Sequence, residues 1–328
     1  MLKTLWSKGR RTITISVEHG SVKLMVSKGQ IIDDYRVLLA NPRYFREGHI
    51  SNTSRVASLI EDVLPELNGR SKSFSGGGGL LGKVIPRSGG RLKSANAVVP
   101  GFQNRLRIME FPKGPGFDPR KVIAQEASRT MHVTPENYFI TWHRLPDILD
   151  RSRWLVLAAM RRAIISLVDT ARRAGIQISE MELRPFALAR AINQPDAIIT
   201  WVAPDGCDVI IVKDSVPVEH QSLFWGADLV EDSVLIDRLT EVTSRTLSTY
   251  NEASTDGPMP DDTSLYICGS PISRHAILDD DQRGFAITQR ICQNLRLPRG
   301  EIEVPMDGGP GFPVNDLIVN AGLALRGV

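Results

Sequence analysis

The strongest constraint on the fold is a pattern that occurs twice. Thr12-Ile-Thr-Ile-Ser-Val17 alternates polar and apolar residues, turns through Glu18-His-Gly-Ser21 and returns as Val22-Lys-Leu-Met-Val26. Far downstream, Ala197-Ile-Ile-Thr-Trp-Val202 turns at Pro204-Asp-Gly206 and returns as Val209-Ile-Ile-Val212. Such runs, bounded by turn residues, predict β-hairpins. A helix follows each. Val56, Leu59, Ile60, Val63, Leu64 and Leu67 share one face of a 3.6-residue period, with Asn52, Thr53 and Ser54 as N-cap side chains and Gly69 as a stop. The second helix spans about 227–250, with Val234, Leu235, Leu239, Val242, Thr246 and Leu247 inward.

Between the hairpins the chain reads as a separate block. Ala97-Val-Val99 and Arg105-Leu-Arg-Ile-Met109 are expected strands, and Asp118-Pro119 caps and opens a helix to about Thr130. Tyr138 to Trp142 is a strand, Leu145 to Asp150 a turn and Arg153 to Ala158 a buried strand. A helix with Ile164, Leu167, Val168 and Ala171 on one face then ends at Gly175. Beyond the second hairpin come a strand, Leu265-Tyr-Ile-Cys268, and helices over about 282–294 and 314–326. The expected organisation is a first lobe over 1–92, joined by 181–195 and a C-terminal helix in 314–328. An inserted α/β subdomain spans 93–180, and a second lobe spans 196–313.

Composition narrows the class. The 328 residues are 42% hydrophobic and 23% charged, ordinary for a globular chain with a sizeable core. With 40 Lys+Arg against 37 Asp+Glu, the net charge of +3 leaves no footprint of a nucleic-acid binder. Three cysteines, Cys207, Cys268 and Cys292, make no disulfide framework, and the six histidines form no metal motif. No apolar run approaches the ~20 residues that span a bilayer. The start is basic and lacks an apolar h-region, so no secretory signal is expected. Leu2, Leu5 and Trp6 beside Lys3, Lys8, Arg10 and Arg11 suit either a frayed terminus or contact with an anionic membrane face.

The stretch 69–93 is basic and rich in glycine, which predicts a flexible loop. Gly77-x4-Gly82-Lys83 within it has the spacing of a phosphate-binding loop. Val84 replaces the Ser or Thr that would ligate Mg²⁺, however, and Pro86 blocks the helix that should follow. It reads as a surface loop.

A set of short motifs resembles the PilM family of type IV pilus assembly proteins, part of the actin-like group that includes FtsA. They are Met1-Leu-Lys-Thr-Leu-Trp-Ser-Lys8, Ser21-x-Lys23, Arg107-Ile-Met-Glu-Phe-Pro112, Glu126-Ala127, Leu157-Ala-Ala159, Arg173-Ala-Gly175-Ile and Asn320-Ala-Gly-Leu-Ala-Leu-Arg-Gly327. Their order covers nearly the whole chain apart from 69–93. The resemblance implies an α/β, actin-like two-lobed fold with an inserted small subdomain.

In that group ATP lies between the two hairpins, and the first carries Asp-x-Gly-x-x-Ser-x-Lys. The Asp holds Mg²⁺ through water, the Gly admits the phosphates, and the Ser and Lys contact phosphate oxygens. Aligned on Lys23, this chain reads Ser16-Val17-Glu18-His19-Gly20-Ser21-Val22-Lys23. Ser21 and Lys23 match. Ser16 replaces the Asp, and Glu18 puts a carboxylate where phosphate should approach. Two like charges ~4 Å apart cost ~4 kcal/mol at an effective dielectric of 20. The second hairpin should begin Asp-x-Gly but reads Thr200-Trp201-Val202, with Asp205-Gly206 displaced. The adenosine side should carry a glycine pair, and Gly269 is followed by Ser270. The expectation is a degenerate nucleotide site, no ATP hydrolysis, no metal and no resident cofactor.

The resemblance further implies a cytoplasmic adaptor, peripheral to the inner membrane through a partner. Its ligand would be the N-terminal tail of a PilN-like single-span membrane protein, held in a groove between the first lobe and the inserted subdomain. One wall is expected from 97–112 and 138–158, the other from Arg36 and the helix 54–67. Two alternatives stand beside it: an active ATP-binding or kinase-like enzyme with Mg-ATP, and a GspL-like platform component of type II secretion. Self-association leaves no mark in the sequence and stays open.

Overall fold

Residues Arg11 to Glu18 form β1, and their alternation sorts two faces. Ile13, Ile15 and Val17 point one way into an apolar core, while Thr14, Ser16 and Glu18 point the other and are equally buried. β2 (Ser21–Lys28) pairs antiparallel with β1, so that Lys23 lies opposite Ser16 and Ser21 opposite Glu18. A strand buried on both faces has to be covered twice, and that need organises the rest of the chain.

The computed structural model describes residues 11–67, 93–113, 118–226, 231–255, 257–270 and 280–326. The basic start with Leu2, Leu5 and Trp6, and the glycine-rich stretch up to residue 92, lie outside the described residues.

β3 (Ile31–Leu39) completes a three-strand meander with β1 and β2. A short hairpin, β4 (Phe45–Arg46) with β5 (His49–Ile50), leads to α1 (Thr53–Leu67). Asn52 caps this helix, its Oδ1 accepting from the Arg55 N–H at 3.1 Å. Val56, Ile60, Leu64 and Leu67 face the sheet; burying each such side chain contributes ~1.5–3 kcal/mol. β6 (Lys93–Val98) then pairs parallel with β1.

An excursion follows: β7 (Arg105–Pro112), α2 (Pro119–Met131), β8 (Tyr138–Ile148) and β9 (Arg151–Met160). Asp118 caps α2 as expected, accepting from the Arg120 N–H at 3.0 Å. The chain returns through α3 (Arg161–Arg173) and β10 (Ile176–Glu182), and crosses by α4 (Arg184–Ile192) to a second meander. That meander is β11 (Ala197–Ala203), β12 (Gly206–Lys213) and β13 (Val216–Phe224). α5 (Asp232–Ala253), β14 (Leu265–Cys268), α6 (Asp280–Leu295) and α7 (Val314–Ala324) complete the described chain.

The strands make two large sheets. The first has the order β10-β6-β1-β2-β3 and the second β14-β11-β12-β13-β7-β9-β8. Each contains an antiparallel meander: the first is continued past β1 by the parallel strands β6 and β10, and the second by parallel β14 on one side and antiparallel β7, β9 and β8 on the other. α1 and α3 cover the outer face of the first sheet, and α5 and α6 that of the second. α4 and α7 lie together between the sheets. α7 meets β1 and β2 through Ala321 and Ala324 against Met25, and α4 meets β11 and β12 through its alanines, Leu188 and Ile192. A Cβ on Gly322 of α7 would lie 1.8 Å from the Ala187 carbonyl oxygen of α4, so only glycine permits this crossing.

Three expectations need correction. The block 93–180 is not one subdomain: β6 and β10 belong to the first sheet, and α3 packs beside α1 through Leu167 and Ala171. The excursion is β7 to β9 and extends the second sheet, where β7 and β13 pair in register at Arg107 and Glu219. What assigns β6 to its sheet is Ala95 and Ala97 filling core beside Ile13 and Ile15, a long-range fit without a local signal. The segment 181–195 is no simple part of the first lobe, because α4 buries its apolar face against the second sheet. The expected turn at Leu145 is strand up to Ile148, with an irregularity between Leu145 and Ile148.

Candidate functional site

The two hairpin turns and the end of β14 converge between the lobes. His19 and Gly20 are the central residues of the first turn, with Gly20 at φ 78. Pro204 and Asp205 are the central residues of the second. β14 stops at Cys268, and Gly269 passes so close to β11 that a Cβ would lie 2.0 Å from the Val202 carbonyl oxygen. That approach, with φ at 116, demands glycine and brings Ser270 to the first hairpin.

Glu18 fills the meeting point. One carboxylate oxygen accepts from the Lys23 ammonium in a short ion pair, and the other accepts from the Ser270 hydroxyl at 2.6 Å. The Lys23 side chain is 1% exposed and that of Glu18 2%. Ser21 is buried beside them. Lys23, Ser270 and Glu18 therefore satisfy one another, and the Glu18 carboxylate ties the first lobe to the second.

Ser16 is engaged elsewhere. Its hydroxyl donates to Asn320 Oδ1 at 2.7 Å, while Asn320 Nδ2 donates to Thr14 O, Thr14 Oγ1 and Lys23 O at 3.1 to 3.2 Å. One fully buried amide thus serves the polar face of the β1–β2 hairpin from α7. Sequence reasoning noticed Asn320 only as part of a closing motif. Its signal was an amide within an otherwise apolar helix, Leu317 to Ala324.

The second hairpin is arranged differently. Thr200 does not reach the Glu18 cluster; it faces α5, with Oγ1 3.1 Å from Thr243 Oγ1. On the opposite side of the sheet Arg184, at the start of α4, stacks 3.7 Å over the Trp201 ring and pairs tightly with Asp208. Burial alone would raise the Asp208 carboxyl, but Arg184 and His220 hold it well below the usual carboxylate range, and Ser222 Oγ donates to it at 2.7 Å. Asp205 has no such company. It is buried, and burial pushes its carboxyl up to about 6. Among the described residues no group of three His, Cys, Asp or Glu side chains is placed to hold a metal.

A second feature lies on the outer side of the first lobe. A groove of about 800 Å³ runs between the β4–β5 hairpin and α3. Ile50, Ile164, Ile165 and Val168 supply its apolar lining, and Arg46, Arg162 and Arg172 are also among its lining residues. Ile165 is 61% exposed, unusual for an isoleucine. His49 also lines it, with Nδ1 buried and unpartnered. None of the residues expected to form groove walls, 97–112, 138–158, Arg36 and 54–67, lines it; Arg36 instead bonds Asp34 and the Tyr35 carbonyl.

This arrangement of paired meanders around two central helices has solved counterparts. The structure titled PilM-PilN type IV pilus biogenesis complex superposes with a TM-score of 0.70 at 15% identity, over 97% of this chain and 98% of that one. The fold is actin-like. The ethanolamine utilization protein EutJ from Carboxydothermus hydrogenoformans matches with a TM-score of 0.55 at 10% identity, over 97% and 90%. No protein-family model and no curated sequence matches the chain. No helix among the described residues is long and apolar enough to cross a membrane. The actin-like lobes here meet through Glu18 and Lys23, which sequence alignment set at the phosphate position, and Ser270, which it set on the adenosine side.

Proposed function

We propose that this chain is a non-catalytic adaptor of a pilus-type assembly machine, a pseudo-ATPase that binds protein rather than turning over ATP. It works on the cytoplasmic side, held at the inner membrane by the N-terminal tail of a PilN-like single-span protein. The observation that carries this reading is the Glu18 carboxylate, buried between Lys23 and Ser270. A bound phosphate would have to displace that carboxylate, separate two buried charges and bring a further anion beside the first. With Ser16 committed to Asn320, no carboxylate stands at its position to hold Mg²⁺ through water.

The likeness to PilM in its complex with PilN supports the choice of partner, and the groove beside α3 supplies a surface for it. An extended segment laying aliphatic side chains against Ile165 and Val168 would bury what is now exposed. Two titrations test the proposal. A synthetic peptide of the N-terminal tail of a PilN-like protein should bind, and no detectable binding at ~100 μM would refute the adaptor reading. Ile165→Asp should weaken that binding at least tenfold while leaving the thermal midpoint unchanged, since a buried isoleucine contributes ~1.5–3 kcal/mol. Mg-ATP should not shift the midpoint. A ligand at 100 times its Kd adds ~2.7 kcal/mol, so a clear shift would favour the ATP-binding alternative.

A further inference from the structure

The hairpin tips also meet at a pair of side chains outside the Glu18 cluster. His19 Nδ1 lies 3.5 Å from Asp205 Oδ2, with side chains 15% and 1% exposed. Neither imidazole nitrogen and neither carboxylate oxygen has a hydrogen-bond partner. The charged groups around Asp205 are Glu18 from β1, Asp208 from β12 and Arg184 from α4, with His220 of β13 beyond Asp208. All of these are already matched. Glu18 has Lys23 and Ser270, and Asp208 has Arg184, His220 and Ser222. The Phe45 ring, 6.2 Å from His19, offers no donor. Asp205 is the acid left over.

We propose that closing the two hairpin tips against each other takes up one proton, held between Asp205 and His19. A carboxylate enclosed without a donor is strongly unfavourable, whereas the carboxylic acid can donate to the imidazole Nδ1. When the tips part, water solvates the carboxylate and the proton leaves. The two residues belong to different sheets, so proton uptake and lobe closure are linked by thermodynamic necessity. Burial lowers the basicity of His19 as it raises that of Asp205, which seats the proton on the acid. The closed form would therefore lose its advantage as pH rises from about 4 through 6, and regain it as pH falls back through that range.

Spin labels at Glu61→Cys on α1 and Glu241→Cys on α5, two exposed positions on opposite lobes, report the interlobe distance by pulsed electron paramagnetic resonance. The three native cysteines are buried and leave the labelling selective. The closed-to-open ratio should fall as pH rises from about 4 to about 6, approaching tenfold per unit, the slope of a single proton, and should level off above pH 6.5. Asp205→Asn should hold the short distance at every pH. His19→Gln should keep the one-proton slope with its midpoint moved to lower pH, because a glutamine amide donates to the carboxylate at any pH. A wild-type distance that ignores pH, or opening on acidification, overturns the proposal. So does an Asp205→Asn chain that keeps the wild-type slope. Should that variant not fold, an unchanged midpoint in His19→Gln overturns it as well.

Discussion

Replacing Glu18 with alanine removes one carboxylate and strands a charge. The Lys23 ammonium is then left with its side chain 1% exposed and no counterion, and Ser270 loses an acceptor. Breaking a buried ion pair from one side costs ~3–5 kcal/mol, far more than the pair is worth against an apolar replacement. At ~2 °C per kcal/mol for a chain of this size, the thermal midpoint should fall by ~6–10 °C. The informative variant is the double one. Glu18→Ala with Lys23→Met leaves no unpaired charge, and most of the loss should return. Denaturant melts of wild type, both single variants and the double variant close a thermodynamic cycle with a coupling energy of at least ~2 kcal/mol. The reasoning is refuted if Glu18→Ala costs less than ~1 kcal/mol, or if the two single losses simply add. Either result would mean that the pair is solvated and the interlobe site open.

Three further outcomes follow from the same coordinates. Gly322→Ala drives a methyl group against the Ala187 carbonyl oxygen, and calorimetry should show a loss of ~3 kcal/mol or more as α4 and α7 separate. The Asp205 carboxyl protonates near 6 in the folded chain against 3.8 for the free side chain, so the stability it confers is complete at low pH and lost as pH rises through 6. Asp205→Asn should therefore gain ~3 kcal/mol over wild type at pH 7.5 and nothing near pH 4, read from urea melts at each pH. Cys207 and Cys268 are buried thiols that burial pushes far above their ordinary range, and Cys292 shifts the same way. A thiol reagent at pH 8 should label none of the three in the native chain and all three in guanidinium.

Both hairpins were legible because strand alternation is written into consecutive residues: Ile13, Ile15 and Val17 against Thr14, Ser16 and Glu18. Helices α1 and α2 were legible from their caps, Asn52 and Asp118. The third strand of each meander was not. β3 mixes Asp33, Asp34 and Arg36 with exposed Ile31, Val37 and Leu39, because at the edge of the sheet it is only partly covered, with Ile32, Tyr35 and Leu38 packed inward. β10 escaped notice for a different reason: its register slips between Ile178 and Glu180, which interrupts the period. At the site, Glu18, Ser21, Lys23, Gly269 and Ser270 gather, whereas Ser16 bonds Asn320 and Thr200 faces α5. What local pattern cannot convey is partnership across the chain. Glu18 and Ser270 are 252 residues apart, and Ser16 and Asn320 are 304 apart.

The glycine at the crossing of α4 and α7 limits how those two helices can shift. With the Ala187 oxygen seated where a side chain would be, the two helices touch backbone to backbone and Arg190 Nε reaches the Gly322 carbonyl at 2.9 Å. The seam between the two helices leaves no room for a side chain, so shifting one helix along the other would first have to break that backbone contact.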